Sequence, residues 1–300
     1  MTDVINTFKL HLEVKKLSPN TVEGYIFDIT QLLKFEDFFS RYQNLNLNDF
    51  RRFLASRKEE GIKASSNARM VSAIKSFYTM LTKYQICKNQ DFAKLTPPKL
   101  PKTLPKPLTQ EEVLEMLDLN DEETFEGKRN KALLTLIYSS GMRISEALSL
   151  NKKDFNKNAN FIKVLGKGGK ERTLPLLSKT KEVMEEYIKA CEIALLPDYP
   201  LFIEAKREKA TYKPIRLSPR KVQKIMQNQR SLKGLPSFAT PHSLRHSFAT
   251  HIINNGGDLR SMQELLGHAS LSTTQKYVKI DVKTLENAYL KFHPTSSQKN

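Results

Sequence analysis

The chain has 300 residues, 39% of them hydrophobic and 27% charged, and a formal charge of +17. That is enough apolar material for two ordinary globular domains with real cores. No apolar run approaches the ~20 residues that span a bilayer and no basic segment leads into an apolar one at the start, so membrane insertion is excluded and a soluble, cytoplasmic protein is expected.

The first helical signal is "LSPNTVEGYIFDITQLLKF". Ser18 can cap, Pro19 suits the first turn, and Val22, Ile26, Ile29 and Leu33 recur at helical spacing. In "SNARMVSAIKSFYTML" the same spacing links Val71, Ile74, Phe77 or Tyr78, and Leu81. Residues 1–95 therefore read as a compact bundle of about four short helices, with Arg69, Lys75 and Lys83 on polar faces. A seam follows in "LTPPKLPKTLPKPLT", where five prolines interleave with lysines in an extended, semi-rigid strap. Thr109 and Glu112 then have the spacing of a capping box, which starts the next helix. The expected organisation is a helical domain over 1–95, a Pro/Lys-rich linker over 96–108 and a second domain over 109–300.

The second domain reads as mainly helical with one β-hairpin. In "FIKVLGKGGKERTLPL" two strand-like runs flank a glycine-rich turn. Helices resume in "LSPRKVQKIMQNQ" and in "HSLRHSFATHIINN", the latter closed by Gly256-Gly257. The fold class is thus mainly α with a small β-hairpin in the C-terminal domain.

Four segments carry residues that suggest chemistry. In "YSSGMRISEALSL", Gly141 interrupts an apolar helix and Arg143 enters the junction. A guanidinium there needs an anionic partner, either Glu146 or another acid of the chain, or an external anion. Lys167 sits at the hairpin tip, as a solvated turn residue or as a mobile lysine that enters a DNA groove or an active site. In "TPHSLRHSFATH" a helix starting near Ser243 puts Leu244, Phe248 and Ile252 on its core stripe. His242 then lies just ahead of it and Arg245 one turn further, both able to face an anion at the helix N-terminus, while His246 and His251 read as structural. "LLGHASLSTTQKYV" adds His268 and Tyr277. Fixed guanidinium and imidazole donors suit the non-bridging oxygens of a phosphodiester and the extra charge of its pentavalent transition state. A tyrosine hydroxyl in so cationic a pocket can act as nucleophile, and a lysine can protonate the leaving oxygen.

Charge and composition agree with such a substrate. The excess is +8 over residues 1–108 and +9 over 109–300, so both halves suit one polyanion, against the alternative of a merely solubilising surface. Cys87 and Cys191, the only cysteines, are too few and too far apart for a disulfide framework or zinc site, and a reducing compartment is expected. There is no acidic cluster that demands a metal and no GxxxxGK[ST] loop, so no metal, cofactor or ATP is expected.

Taken in order, Arg143, Lys167, the "HSLRH" block, "LLGH" and Tyr277 resemble the catalytic set of the tyrosine site-specific recombinases (the phage-integrase family). Within it the chain is most similar to the bacterial Xer type, and "HSFATHIINNGGDLRSMQELLGHASLSTTQKYV" followed by "AYLKFHP" is nearer the XerC than the XerD branch. The likeness runs from "LSPNTVEGY" to the tail, with one departure: "YVKID" stands where relatives commonly have "YTH".

The resemblance implies a SAM-like helical core-binding domain and a catalytic domain closing on double-stranded DNA as a C-shaped clamp. It implies that Arg143 and Arg245 hold the scissile phosphate, Lys167 serves the leaving 5′ oxygen, His242 assists proton transfer and His268 bonds the phosphate. Tyr277 forms the 3′-phosphotyrosyl link, and strands exchange through a Holliday junction. It further implies a dif-like site, a XerD-like recombinase in a heterotetramer, a septal DNA translocase acting through that partner, and a nucleoid-associated role in bacterial chromosome-dimer resolution. The tail over 281–300 carries Val282, Leu285, Tyr289 and Phe292 on one helical face, which either packs on its own domain or docks on a neighbouring subunit. Other readings remain at this point: the integrase of a mobile element, a type IB topoisomerase, or a non-cleaving DNA-binding module.

Overall fold

The computed structural model describes residues 2–99, 106–119, 121, 123–166, 171–191, 196–207 and 214–254. The chain divides into two compact units, residues 1–103 and 104–300. Among the described residues no helix is long and apolar enough to cross a membrane.

The first unit packs helices α1 (Thr2–Val14), α2 (Pro19–Lys34), α3 (Leu47–Glu59) and α4 (Ala64–Lys83). Local chemistry sets their starts. Ser18 Oγ accepts the Thr21 N–H at 3.2 Å with Pro19 in the first turn of α2. Asn46 and Asp49 form a reciprocal capping box at α3, in which Asp49 Oδ2 accepts the Asn46 N–H at 3.0 Å. α4 is the axis of the core: Val71, Ile74, Phe77, Tyr78 and Leu81 are all buried, so both of the alternatives Phe77 and Tyr78 face inward. Phe8 meets Phe77 edge-on and Phe50 meets Tyr78 edge-on, with centroids 5.1 and 5.0 Å apart, a favoured aromatic geometry. The Tyr78 hydroxyl donates to the Tyr42 carbonyl at 2.7 Å. Arg69 has a partner on its polar face: it forks onto the fully buried Asp28 of α2 at 2.8 and 3.0 Å. On α3, Asp49 takes a fork from Arg41 at 2.9 and 3.1 Å, and Arg52 reaches Glu36 at 2.7 Å.

The second unit opens with α5 (Gln110–Leu117), whose Thr109/Glu112 capping box closes at 3.1 and 2.8 Å. Its central element is α6 (Phe125–Ser140), buried on most of its circumference through Ala132, Leu133, Leu134, Leu136, Ile137 and Tyr138. A helix buried on nearly every side belongs in the middle of a unit. Gly141 ends it in the left-handed region, φ +62°, where a side chain would be strained. The chain turns there into the short α7 (Ile144–Ser149).

Strands β1 (Phe161–Leu165) and β2 (Glu171–Pro175) form the expected hairpin, antiparallel with Ile162 opposite Leu174 and Val164 opposite Arg172. After α8 (Ser178–Lys189) the sequence reads as helical, but a second antiparallel pair intervenes, β3 (Ile203–Arg207) with β4 (Pro214–Arg216). Its strands are short and irregular in register, and the connecting "EKATYK" has none of the glycine or proline that marked the first hairpin. α9 (Pro219–Lys233) and α10 (Pro241–Asn254) follow. Leu244, Phe248 and Ile252 form the buried stripe of α10. The helix begins at Pro241, just ahead of Ser243, and Thr240 and Ser243 bond reciprocally across its first turn.

α10 also anchors the point where the chain enters this unit. Ser247 Oγ accepts the Leu108 N–H at 2.8 Å, and His251 Nε2 lies 2.8 Å from the Leu108 carbonyl. A carbonyl only accepts, so Nε2 carries the proton and Nδ1 accepts from the Tyr138 hydroxyl 3.0 Å away. Burial lowers the His251 pKa from its ordinary value, consistent with a neutral ring. His251 is structural, as its spacing suggests.

Candidate active site

Helix α7 organises the site. Arg143 is its N-cap and Glu146 stands three residues on, buried to 5% exposure. Glu146 Oε2 accepts the Arg143 N–H at 2.7 Å, and Oε1 accepts from Arg143 Nη1 at 2.9 Å. The internal ion pair that the sequence left open is therefore present. It does not exhaust Arg143, whose side chain keeps 37% of its surface exposed.

Two more guanidiniums reach the same carboxylate. Arg172 of β2 forks onto both oxygens at 2.9 and 2.7 Å. Arg245 of α10 places Nη1 3.8 Å from Glu146 Oε2 and donates to the Gly141 carbonyl at 2.7 Å. Three arginines from three elements thus converge on one acid. Arg172 was not singled out from sequence, yet a signal existed: strand alternation puts it on the same side as the buried Leu174, opposite the buried Val164. A charged residue at a core-facing position needs a buried counter-charge, and Glu146 supplies it.

The electrostatics follow from this packing. Burial alone would raise the Glu146 pKa, but hydrogen bonds from Arg172 and from the Arg143 backbone outweigh it and hold the carboxyl at about 2. Burial pushes the Arg245 guanidinium down to about 10, with the like charge of Arg143 adding to the effect and Glu146 opposing it. Glu146 is an anion and Arg245 a cation at neutral pH. One carboxylate divided among three guanidiniums leaves a site receptive to a second anion, and Arg143 offers the exposed donors.

His242 lies in the first turn of α10, one turn before Arg245, with its side chain exposed. It sits inside the helix rather than ahead of it. Lys167, His268, Tyr277 and the tail over 281–300 lie outside the described residues, as do Gly256-Gly257 and residues 100–105 of the strap. The connection that carries Lys167 leaves β1 at Leu165 and re-enters β2 at Glu171, one residue before Arg172. Elsewhere in the unit the outer face of α9 presents Arg220, Gln223, Lys224, Gln227 and Asn228.

Comparison with known proteins bears on both units. Residues 106–284 match the phage integrase family, and residues 5–85 match the phage integrase N-terminal SAM-like domain. The chain is 41% identical to the tyrosine recombinase XerC of Agrobacterium fabrum (strain C58), over 93% of this chain and 90% of that one. It is 40% identical to the XerC of Rickettsia bellii (strain RML369-C), over 93% and 92%. Among solved structures, a lambda integrase dimer bound to a COC′ core site superposes with a TM-score of 0.68 at 16% identity, covering 94% of this chain and 99% of that one, a likeness of fold. The XerH site-specific recombinase bound to its difH substrate gives a TM-score of 0.60 at 25% identity, over 89% and 78%. With a family match over most of its length and relatives near 40% identity, the chain belongs to the phage integrase family and is a site-specific tyrosine recombinase, an enzyme of DNA strand exchange.

Proposed function

We propose that the arginine cluster on Glu146 holds the phosphate to be cut and that Tyr277 cuts it. The observation that carries this reading is the sharing of one buried carboxylate by Arg143, Arg172 and Arg245 while Arg143 stays more than a third exposed. Arg143 and Arg245 then bind the non-bridging oxygens of the scissile phosphate, and Glu146 and Arg172 hold them in place. Tyr277 Oη attacks phosphorus and the bond from phosphorus to the 5′ oxygen breaks. The tyrosyl proton passes toward His242, Lys167 protonates the departing 5′ oxygen, and His268 bonds the phosphate as charge builds. The product is a 3′-phosphotyrosyl link, which the 5′-hydroxyl of a partner strand reverses without net loss of bond energy. Repeated on the second strand pair, this exchange passes through a Holliday junction.

The substrate is double-stranded DNA. Both halves of the chain are basic, the outer face of α9 offers Arg220, Lys224 and amide side chains to phosphates and base edges, and two solved relatives are complexes with DNA. The likeness to XerC proteins favours a dif-like site, a XerD-like partner recombinase in a heterotetramer, activation through that partner by a septal DNA translocase, and resolution of chromosome dimers before cell division in the bacterial cytoplasm. The tail over 281–300 is the segment for subunit docking.

The test is a denaturing gel that detects a protein–DNA adduct on a nicked suicide duplex bearing a dif-like site, run in EDTA, with and without a XerD-like recombinase. An adduct that persists in EDTA and disappears in Tyr277→Phe is the expected result. Firm duplex binding with no adduct on several candidate sites, partner present, would instead favour a non-cleaving DNA-binding protein.

A further inference from the structure

We infer that Arg216 is a positioning residue for the active site, gripping the C-terminal end of α7 and thereby setting where Glu146 and Arg143 stand. The inference rests on the reading of the arginine cluster given above.

α7 has six residues, fewer than two turns, and a helix so short does not persist on its own hydrogen bonds. Its last carbonyls have no partner within the helix. Its other end carries Arg143 as N-cap and Glu146 in the first turn, so any tilt or slide of α7 moves both. The N-terminal end is held by the Arg172 fork on Glu146. The C-terminal end is held by Arg216 of β4. Arg216 Nη1 donates to the carbonyls of Leu148 and Leu150, the latter at 2.9 Å, and Nη2 donates to Asn151 Oδ1 at 2.6 Å. A cation at a helix C-terminus also complements the partial negative charge there.

Arg216 is itself well placed to act as a fixed point. It pairs with Ile203 across the second hairpin, and the next residue, Leu217, donates to the Phe202 carbonyl at 3.0 Å. The chain leaving α7 is stitched to the same neighbourhood, because Leu201 N–H donates to Leu150 O at 2.9 Å and Lys152 N–H to Tyr199 O at 2.8 Å. α7 therefore lies between two arginine clamps, one from each hairpin. A planar guanidinium presents donors from separate nitrogens in a fixed fork that meets two carbonyls and an amide oxygen at once, whereas a lysine ammonium donates from one nitrogen on a flexible stem. Displacing a reacting group by about 1 Å costs on the order of 100-fold in rate, which is the scale on which loss of the clamp acts.

The test is single-turnover adduct formation by the full-length protein on the nicked duplex that the wild type cleaves, with rate constant, amplitude and duplex affinity measured separately. In Arg216→Ala the rate constant at saturating protein is expected to fall at least tenfold, with affinity within twofold of wild type. Arg216→Lys should recover less than a third of the lost rate, and added methylguanidinium should raise the rate of Arg216→Ala but not that of Arg216→Lys. A variant that merely unfolded a fraction of molecules would lower the amplitude and leave the rate constant. A rate constant within twofold of wild type in Arg216→Ala overturns the inference, and if that variant cannot be isolated folded, the same result in Arg216→Lys does so. Arg143→Ala run alongside separates the two readings. Wild-type cleavage in Arg143→Ala defeats the site assignment, whereas loss of cleavage there with normal rates in both Arg216 variants defeats the clamp alone.

Discussion

The two units bury carboxylates against arginines in different ratios. In the first unit the buried carboxylates are shared less widely: Asp28 takes Arg69 alone, and Asp49 takes a fork from Arg41 with Arg52 at 3.5 Å, while Arg52 also reaches the exposed Glu36. In the second, Glu146 alone meets Arg143, Arg172 and Arg245. The hydrogen bonds are of similar length, and Asp28, Asp49 and Glu146 are similarly buried, so the interaction chemistry is the same. What differs is the sum. A matched pair joins two helices and has little left to offer a ligand, and its net contribution to stability is small even though removing one partner is costly. A carboxylate divided three ways holds several cations together and leaves them able to take up another anion. The ratio, more than any single contact, separates a staple of the fold from a cluster with positive charge to spare.

The sharpest way to break this contrast is Glu146→Gln. It removes the charge that three guanidiniums share, so we expect a loss of about 3 kcal/mol in the second unit and a fall of more than ~100-fold in adduct formation. Hydrogen exchange of α6 amides reports the first quantity and a denaturing gel the second. A small stability change would mean that the arginines are held apart by other groups. The same residue governs the acid limb of stability. Its folded pKa, about 2, lies below the ordinary 4.5, so its contribution is complete above pH 4.5 and is lost as pH falls toward 2. About 3 kcal/mol should disappear over that window in wild type and not in Glu146→Gln, as followed by circular dichroism.

Arg143→Ala separates binding from folding. With 37% of the side chain exposed, its loss should change stability by less than about 1 kcal/mol, while adduct formation falls by on the order of 100-fold. Asp28→Asn tests the opposite case. It should cost about 2 kcal/mol in the first unit, read from hydrogen exchange in α2 and α4, with the adduct rate per folded molecule within twofold of wild type. If cleavage falls instead, the matched pair is more than a staple. The smallest effect is expected for Arg52→Ala, whose contacts are largely solvent-exposed. A chemical denaturation midpoint equivalent to more than about 0.5 kcal/mol would show that Asp49 depends on both of its arginines.

Local signals in the sequence were legible wherever a few consecutive residues decide the outcome. Ser18-Pro19, Thr109 with Glu112, the strand-like runs of the first hairpin and the Leu244, Phe248, Ile252 stripe all correspond to observed features. The second hairpin was missed because β3 and β4 pair across a connection without turn residues, and their register depends on tertiary contacts rather than on propensity. The arginine cluster was legible in its outer members and obscure at its centre. Arg143 and Arg245 attract notice as cations in helical contexts that need a partner. That both share one partner, and that Arg172 joins them from a strand, depends on elements distant in sequence meeting at α7. Alternation along β2 was the available clue, and it becomes meaningful only once the hairpin's buried face is known.

The anchoring of Leu108 has a mechanical consequence. Both of its backbone groups are tied to α10, one through Ser247 and one through His251, the latter backed by Tyr138. These two bonds attach to side chains one helical turn apart, so a pull along the entering chain loads them in parallel and is borne by the helix that carries His242 and Arg245. The leash and the lever are the same rod: tension at residue 108 is passed to the helix that carries Arg245.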